Sequence, residues 1–176
     1  MFCIKQAKNV LTAAALRSLY FALIHSHLMY CPIIMSCLNE KNKLQIFKVQ
    51  KKAIRLISKS NYNAHTGPIF KNLHILPYDK IIVQSKLHFM HAIEYGYAPR
   101  SFENIWVKNE HRDHGHILRN NDKYSLPHPR IEFFKKIPLY SLPYEWNEIG
   151  DLTFQNNKNL FKNLLRDKLL DEIIDI

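Results

Sequence analysis

Apolar residues recur at three- and four-residue intervals through the first hundred positions of the chain, which is the spacing of one face of an α-helix. The pattern predicts a long, mostly buried helix over Val10–Tyr30 and an amphipathic helix over Leu44–Ser58. A short helix is expected after Thr66 and a further one over Ile81–Tyr95. Residues 1–100 are therefore expected to form a helical domain. The core positions expected on its first helix are Leu16, Leu19, Leu23 and Leu28.

The pattern changes between residues 106 and 150, where no helical period lasts two turns and four prolines interrupt the chain. We expect irregular backbone here, with two short strands around Ile131–Phe134 and Leu139–Ser141. Helical spacing returns over Asn157–Ile174. The expected fold class is mainly α: an N-terminal helical bundle, an irregular proline-rich segment with two short strands, and a C-terminal helix. Residues 101–176 are expected to pack on the first domain.

One side of the second predicted helix is strongly cationic. Seven Lys and Arg residues and no acid lie between positions 41 and 59. Five of them, at positions 41, 48, 52, 55 and 59, fall within about 60° of one another around a helix that turns about 100° per residue. We define the cationic face as these five with the adjoining Lys51. Its members are Lys41, Lys48, Lys51, Lys52, Arg55 and Lys59.

The opposite side of the same helix is apolar, which predicts that the protein core holds the helix and leaves the cationic face outside. The apolar positions are Ile46, Phe47, Ala53, Ile54 and Ile57. Gln50 lies on this side and is expected to pack or to cap. Like charges four residues apart repel each other, so an anionic partner would relieve the cationic face. The alternative is a solvated surface, although such surfaces usually mix the two signs of charge.

The distribution of charge along the chain favours a polyanionic partner. Residues 1–93 hold thirteen Lys and Arg against two acids, whereas residues 94–176 hold twelve against thirteen, so the net charge of +10 comes from the first part. Nucleic acid, either RNA or an RNA–DNA hybrid, is the expected partner, because closely spaced phosphates attract a row of cations through counterion release. A peripheral membrane surface and a partner helix are the alternatives. A membrane span is not expected, because the most apolar segment contains Arg17 and two histidines.

The composition predicts a folded protein, since 47% of the 176 residues are hydrophobic and 23% are charged. Cys3, Cys31 and Cys37 are an odd number of cysteines and form no C-x-x-C pair. We therefore expect reduced, buried thiols and an intracellular protein of the nucleus or cytoplasm.

Motifs for metal binding and catalysis are weak. Two groups have ligand-like spacing, namely His111, His114 and His116, and His25, His27, Cys31 and Cys37. Structural zinc prefers paired C-x-x-C thiolates, so no metal and no cofactor are expected. Acids are adjacent or two apart only at Asp171 and Glu172, which leaves no carboxylate pair for two-metal chemistry. The chain is not expected to be an enzyme on its own.

Ordered sequence blocks carry a resemblance to one family. The first blocks read LRSLYFALIHSHLMYC at 16–31, IFKVQKKAIR at 46–55 and HTGPIF at 65–70. Later blocks read PRSF at 99–102, LRN at 118–120, LP at 126–127, PLY at 138–140, WN at 146–147 and FKNLL at 161–165. In this order the blocks resemble the segment that follows the polymerase palm in non-LTR (jockey-like, LINE-type) retrotransposon reverse transcriptases. The chain departs from the family pattern before the Trp-Asn pair, where it has LPYE at 142–145 instead of Gly-Pro.

The resemblance implies a thumb-like C-terminal region that holds the RNA template and the growing DNA, with the palm domain of the same element as its partner. The catalytic aspartates of the family lie upstream of the matched part, so no catalytic residue is implied here. A truncated element is expected on these grounds. A vestigial product without a selected role remains an alternative.

Overall fold

The computed structural model describes residues 2–111 and 122–173 and confirms a mainly helical fold. The α-helices are α1 Phe2–Ala7, α2 Ala13–Tyr20, α3 Ser26–Leu28, α4 Pro32–Met35, α5 Glu40–Ile57, α6 Gly67–Asn72, α7 Tyr78–Glu94, α8 Glu132–Lys136, α9 Pro138–Glu148 and α10 Lys158–Asp171. A π-helical turn, Phe21–His25, joins α2 to α3, and 3₁₀ turns lie at Arg100–Phe102, Asn109–His111 and Gly150–Phe154. The described extended pairing is a single antiparallel bridge between Lys108 and Tyr124.

The chain divides into two compact units. The first comprises Met1–Ile82 with Arg166–Ile176, and the second comprises Val83–Leu165. The division expected at residue 100, with residues 101–176 packing on the first domain, stays a prediction. In the first unit α5 packs against α1, α2 and α6. The largest fully buried side chains of this unit are Ile4, Leu16, Tyr20, Ile54, Ile57, Phe70, Ile75 and Ile81.

The first long helix is interrupted by the π-helical turn. Thr12 Oγ1 accepts a hydrogen bond from the Ala15 amide at 3.3 Å and starts α2 three residues after Val10. Leu16 is fully buried, as predicted, but Leu23 is 44% exposed and its predicted core position is wrong. A π-helical turn holds more residues than an α-helical turn, so the buried positions continue from Tyr20 to Ile24.

The second unit is built around aromatic and histidine side chains. The His91 ring stacks on Phe161 with ring centroids 4.2 Å apart, and its Nε2 lies 2.9 Å from the Gln155 carbonyl. Trp146 is 3% exposed and contacts both rings. Burial lowers the pKa of His91, and the Gln155 hydrogen bond opposes this shift.

The two strands predicted in the proline-rich segment are wrong. Ile131–Phe134 leads into α8, and Leu139–Ser141 lies within α9, which begins at Pro138. A proline is well tolerated at the first helical position, where its missing amide has no partner to lose. Pro143 lies inside α9 and cannot donate to the Leu139 carbonyl four residues back. That carbonyl instead accepts the Trp106 indole N–H at 3.0 Å.

The predicted burial of the cysteines is also wrong. Cys3 and Cys31 are exposed and Cys37 is half-buried, and none of the three forms a disulfide. Cys31 lies in the left-handed region with φ of 47°, in the tight turn between α3 and α4.

Candidate nucleic-acid interface

The helix that carries the cationic face is longer than predicted. It begins at Glu40, four residues before Leu44, because Asn39 Oδ1 accepts the Asn42 amide at 2.9 Å. It ends at Ile57, one residue before the predicted end. Lys59 thus lies beyond the helix, with φ of 53° in the left-handed region. Its placement follows from the turn after α5 and not from helical spacing.

The apolar side of α5 faces the core of the first unit. Ala53, Ile54 and Ile57 are fully buried. Phe47 is half-buried and stacks against Phe70 with ring centroids 6.2 Å apart. This burial leaves the opposite side of the helix free to face solvent.

Gln50 fixes the rotation of α5. Its side chain is fully buried, and its Nε2 donates to the Tyr20 hydroxyl and to the Leu76 carbonyl, each at 2.9 Å. These bonds connect α5 with α2 and with the segment before α7. Burial raises the pKa of Tyr20 to about 12, against the lowering effect of the Gln50 hydrogen bond. The packing role expected for Gln50 is confirmed, and its two specific partners could not be read from local sequence.

Four members of the cationic face are exposed to solvent, namely Lys41, Lys48, Lys52 and Lys59. Within residues 2–111 and 122–173 none of the four forms an ion pair with an acid. Lys41 and Lys52 are about 16 Å apart along the axis at about 1.5 Å per residue. Such a row matches several phosphate steps of one strand, each about 3.4 Å of duplex axis.

Arg55 and Lys51 differ from these four lysines because each is half-buried. The Arg55 Nε donates to the Ala64 carbonyl at 3.0 Å, which ties the helix to the turn that follows it. The Lys51 ammonium lies over the Phe47 ring, 4.4 Å from its centroid. Burial and then the charge of Arg55 lower the pKa of Lys51, while Asp79 raises it. Both side chains therefore have intramolecular roles that a phosphate would have to share.

One further cation of this helix is neutralised. Lys43 forms an i,i+3 ion pair with Glu40 at 3.3 Å. This pair lies at the start of α5, where the carboxylate of Glu40 also suits the positive end of the helix dipole. Lys41 in the same turn, and Lys48 and Lys52 on later turns, form no such pair among the described residues.

Of the two histidine and cysteine groups considered as metal ligands, the structure fully describes only His25, His27, Cys31 and Cys37. Among the described residues, no group of three or more His, Cys, Asp or Glu side chains could hold a metal ion. His25 keeps a buried Nδ1 without a hydrogen-bond partner, and burial, with the charge of Arg166, lowers its pKa. The side chain of His111, together with His114 and His116, lies outside the described residues.

An exposed aromatic ring beside the cationic face was missed in the sequence. Tyr62, in the turn after α5, is 76% exposed. The sequence does contain a signal for this exposure, because Asn61 and Asn63 flank the tyrosine and asparagines favour a surface turn.

In comparisons with protein-family models, curated proteins and solved structures, nothing matches this chain. Within the part that the structure describes, no helix is both long enough and apolar enough to cross a membrane.

Proposed function

We propose that this chain is a non-catalytic helical module that binds the phosphate backbone of RNA or of an RNA–DNA hybrid. The observation that carries the proposal is the exposed row Lys41, Lys48, Lys52 and Lys59, which has no acid partner among the described residues. The cations contact phosphates and read little sequence, because phosphate contacts position a protein without distinguishing bases.

Electrostatics supports a polyanion over a simple solvated surface. The lysines at positions 48 and 52 are one turn apart and repel each other, which costs a few tenths of a kcal/mol per pair on an isolated helix. A bound strand removes this repulsion and releases its own condensed counterions. Binding therefore gains from the relief of repulsion and from counterion release, and neither gain requires a rearrangement of the helix.

The packing of α5 argues against a membrane surface as the partner. An interfacial helix inserts its apolar side among the lipid headgroups. In this protein the apolar side of α5 is occupied by α1, α2 and α6, and Ile54 and Ile57 are fully buried. Phosphate contact requires only the exposed side, which is available.

The resemblance to the region after the palm of non-LTR retrotransposon reverse transcriptases supports the same class of partner. Under this proposal the module holds template and primer beside the palm domain of the same element, in the nucleus or cytoplasm. The catalytic aspartates belong to that palm, and the carboxylate pattern of this chain provides no two-metal site.

The proposal is tested by the salt dependence of binding. The full chain and a variant with Lys41, Lys48, Lys52 and Lys59 changed to Gln are titrated with an RNA–DNA hybrid at several salt concentrations. Glutamine keeps good helix propensity, so circular dichroism should be unchanged. The slope of log affinity against log salt should become shallower by about 3 to 4 units, at about 0.7–0.9 per neutralised phosphate.

A matched control removes four other exposed cations, with Arg100, Arg130, Lys158 and Lys162 changed to Gln. Its net charge equals that of the test variant, so a general loss of positive charge would affect both alike. We expect the control to keep most of the wild-type slope. Equal slopes in the two variants, or tighter binding to anionic vesicles than to the hybrid, would contradict the proposal.

A further inference from the structure

The turn after α5 is held in one conformation by several hydrogen bonds. The Ser58 and Ser60 hydroxyls are 2.7 Å apart, and the Ser60 amide donates to the Arg55 carbonyl at 3.1 Å. The Ala64 amide donates to the Asn61 carbonyl at 3.1 Å, which closes the turn around the residues between them. Together with the Arg55 bond to the Ala64 carbonyl, these contacts make the turn a preorganised structure beside the cationic face.

This turn presents a tyrosine ring that the protein does not use internally. Tyr62 is 76% exposed, and among residues 2–111 and 122–173 it has neither a ring contact nor a hydrogen bond. A large ring held on a fixed turn keeps apolar surface in water. Flat aromatic surface of this kind is what proteins offer to unstacked nucleobases.

The charges around the turn are arranged to accept an anion in spite of the helix end. The C-terminus of a helix carries partial negative charge on its last carbonyls. Here the Ser58 amide donates to the Ile54 carbonyl at 3.0 Å, and the Lys59 amide donates to the Leu56 carbonyl at 3.3 Å. These donors satisfy the last carbonyls, and Lys59 and Arg55 add positive charge at the same place.

We propose that Tyr62 stacks on an unpaired nucleobase whose flanking phosphates are bound by Lys59 and the Arg55 guanidinium. This inference rests on the proposed function and names its preferred substrate as a single-stranded segment. The Arg55 Nε is already bonded to Ala64, and its Nη groups have no acceptor within the described parts of the chain. The guanidinium can therefore hold the turn and contact a phosphate at once.

Single strands are selected because a paired base is not available to the ring. Inside a duplex each base is stacked on both sides, whereas an unpaired base has free faces. Stacking also tolerates any base, since every base has a π-face. The turn should thus favour single-stranded RNA or DNA without a strong sequence preference, while the lysines of α5 bind duplex and single strand alike.

The test compares Tyr62→Ala and Tyr62→Phe with Tyr30→Ala as a matched control. Tyr30 is 77% exposed, so both alanine variants remove a tyrosine of equal exposure. Affinity is measured for a single-stranded RNA of about 16 nucleotides and for the hybrid of the same length. Tyr62→Ala should weaken single-strand binding by about 5- to 140-fold. Tyr62→Phe and Tyr30→Ala should bind like the wild type, and hybrid affinity should not change.

A second measurement detects stacking directly and does not depend on affinity. A 2-aminopurine base in the single strand should lose fluorescence on binding the wild type and Tyr62→Phe, but not on binding Tyr62→Ala. The salt slope of Tyr62→Ala should equal that of the wild type, because no charge is removed.

The outcomes separate this inference from the proposed function. Wild-type affinity and quenching in Tyr62→Ala would overturn the stacking role while the lysine variant still lost its salt slope. An equal loss in Tyr30→Ala, or an equal loss on the hybrid, would also overturn it. If the wild-type chain shows no salt-dependent binding to either strand form, both proposals fail together.

Discussion

Lysines on α5 and lysines in the second unit carry the same charge in different surroundings. In the second unit Lys86 is 6% exposed and lies 3.6 Å from the Glu145 carboxylate, and Lys108 pairs with Glu94. On α5, Lys48 and Lys52 are exposed and have no acid partner within the described residues. The difference shows that formal charge is a property of the sequence, whereas the availability of a charge is decided by which acids the fold brings to it.

The acid Glu94 in the second unit is also bound to neighbouring side chains. Glu94 accepts hydrogen bonds from both Lys108 and the Tyr124 hydroxyl. The side chain of Asn147 brackets Tyr124 by bonding its amide and its carbonyl, each at 2.9 Å. Burial, with the Glu94 hydrogen bond, raises the pKa of Tyr124. Charged groups here stabilise an interior, whereas Lys41, Lys48 and Lys52 of α5 are exposed and form no ion pair among the described residues.

The largest loss of stability is expected when the paired acid Glu145 of the second unit is removed. Changing Glu145 to Ala removes the carboxylate that lies 3.6 Å from the buried Lys86 ammonium, which should lower the free energy of unfolding by about 3 kcal/mol. Urea denaturation measures this change. Glu148→Ala, an exposed carboxylate on the same helix, is the control and should change it by less than about 0.5 kcal/mol.

Removing both charges of the Lys86–Glu145 pair tests whether the lost stability is electrostatic. A double variant, Lys86→Met with Glu145→Ala, removes both charges and should recover most of the lost stability, because a buried pair replaced by apolar groups is often neutral. No recovery would mean that the lost stability came from the packing of these side chains and not from their charges.

A smaller effect is expected at Gln50, which orients the cationic face. Gln50→Leu keeps the volume but leaves the Leu76 carbonyl and the Tyr20 hydroxyl without their buried donor. The free energy of unfolding should fall by about 2 kcal/mol. Gln45→Ala, on the exposed side of α5, should be nearly neutral. If the two variants lost equal stability, Gln50 would not be the residue that fixes the helix.

Acid should weaken the second unit through His88. Burial, with the charges of Lys162, His91 and Lys158, lowers the pKa of His88 from 6.5 to about 4. Because the unfolded chain binds the proton more readily, stability is complete above pH 6.5 and falls as the pH drops towards 4.

This pH dependence should amount to a loss of about 1 kcal/mol between pH 7 and pH 5, since partial exposure of His88 reduces the about 1.4 kcal/mol per pH unit of a fully coupled proton. His88→Gln should show a flatter dependence of urea-unfolding stability over the same range. An identical pH dependence in the variant would assign the loss to the other histidines with lowered pKa values.

The smallest effect is expected on α5 itself. Lys48→Ala and Lys52→Ala should each change the free energy of unfolding by less than about 0.5 kcal/mol, because these side chains are exposed and unpaired among the described residues. Removing one of two repelling charges should even be slightly stabilising at low salt, and added salt should abolish that gain. A loss above 1 kcal/mol, about twice the usual range for a surface site, would show that the lysine stems pack against the protein.

Local sequence predicted α5 well because its signals are local. The apolar spacing and the cationic face lie within about twenty residues, and helical geometry relates them directly, although the Asn39 cap was missed and the start was placed four residues late. The same local reasoning failed over residues 131–141, where prolines and isolated aromatics suggested strands. Within α9, Trp106 supplies a donor to the carbonyl that Pro143 leaves free, and this contact spans 33 residues, so local sequence could not show it.

The sequence alone determined that the protein is mainly helical and that α5 has one cationic and one apolar side, because the period of a helix is set by short-range geometry. Only the tertiary structure decided which charges stay available. It pairs Lys86 with Glu145, bonds Arg55 to Ala64, and leaves Lys48 and Lys52 in solvent. The physical reason is that a charge is neutralised by whichever partner lies within a few ångströms, and that distance depends on contacts between segments far apart in the chain.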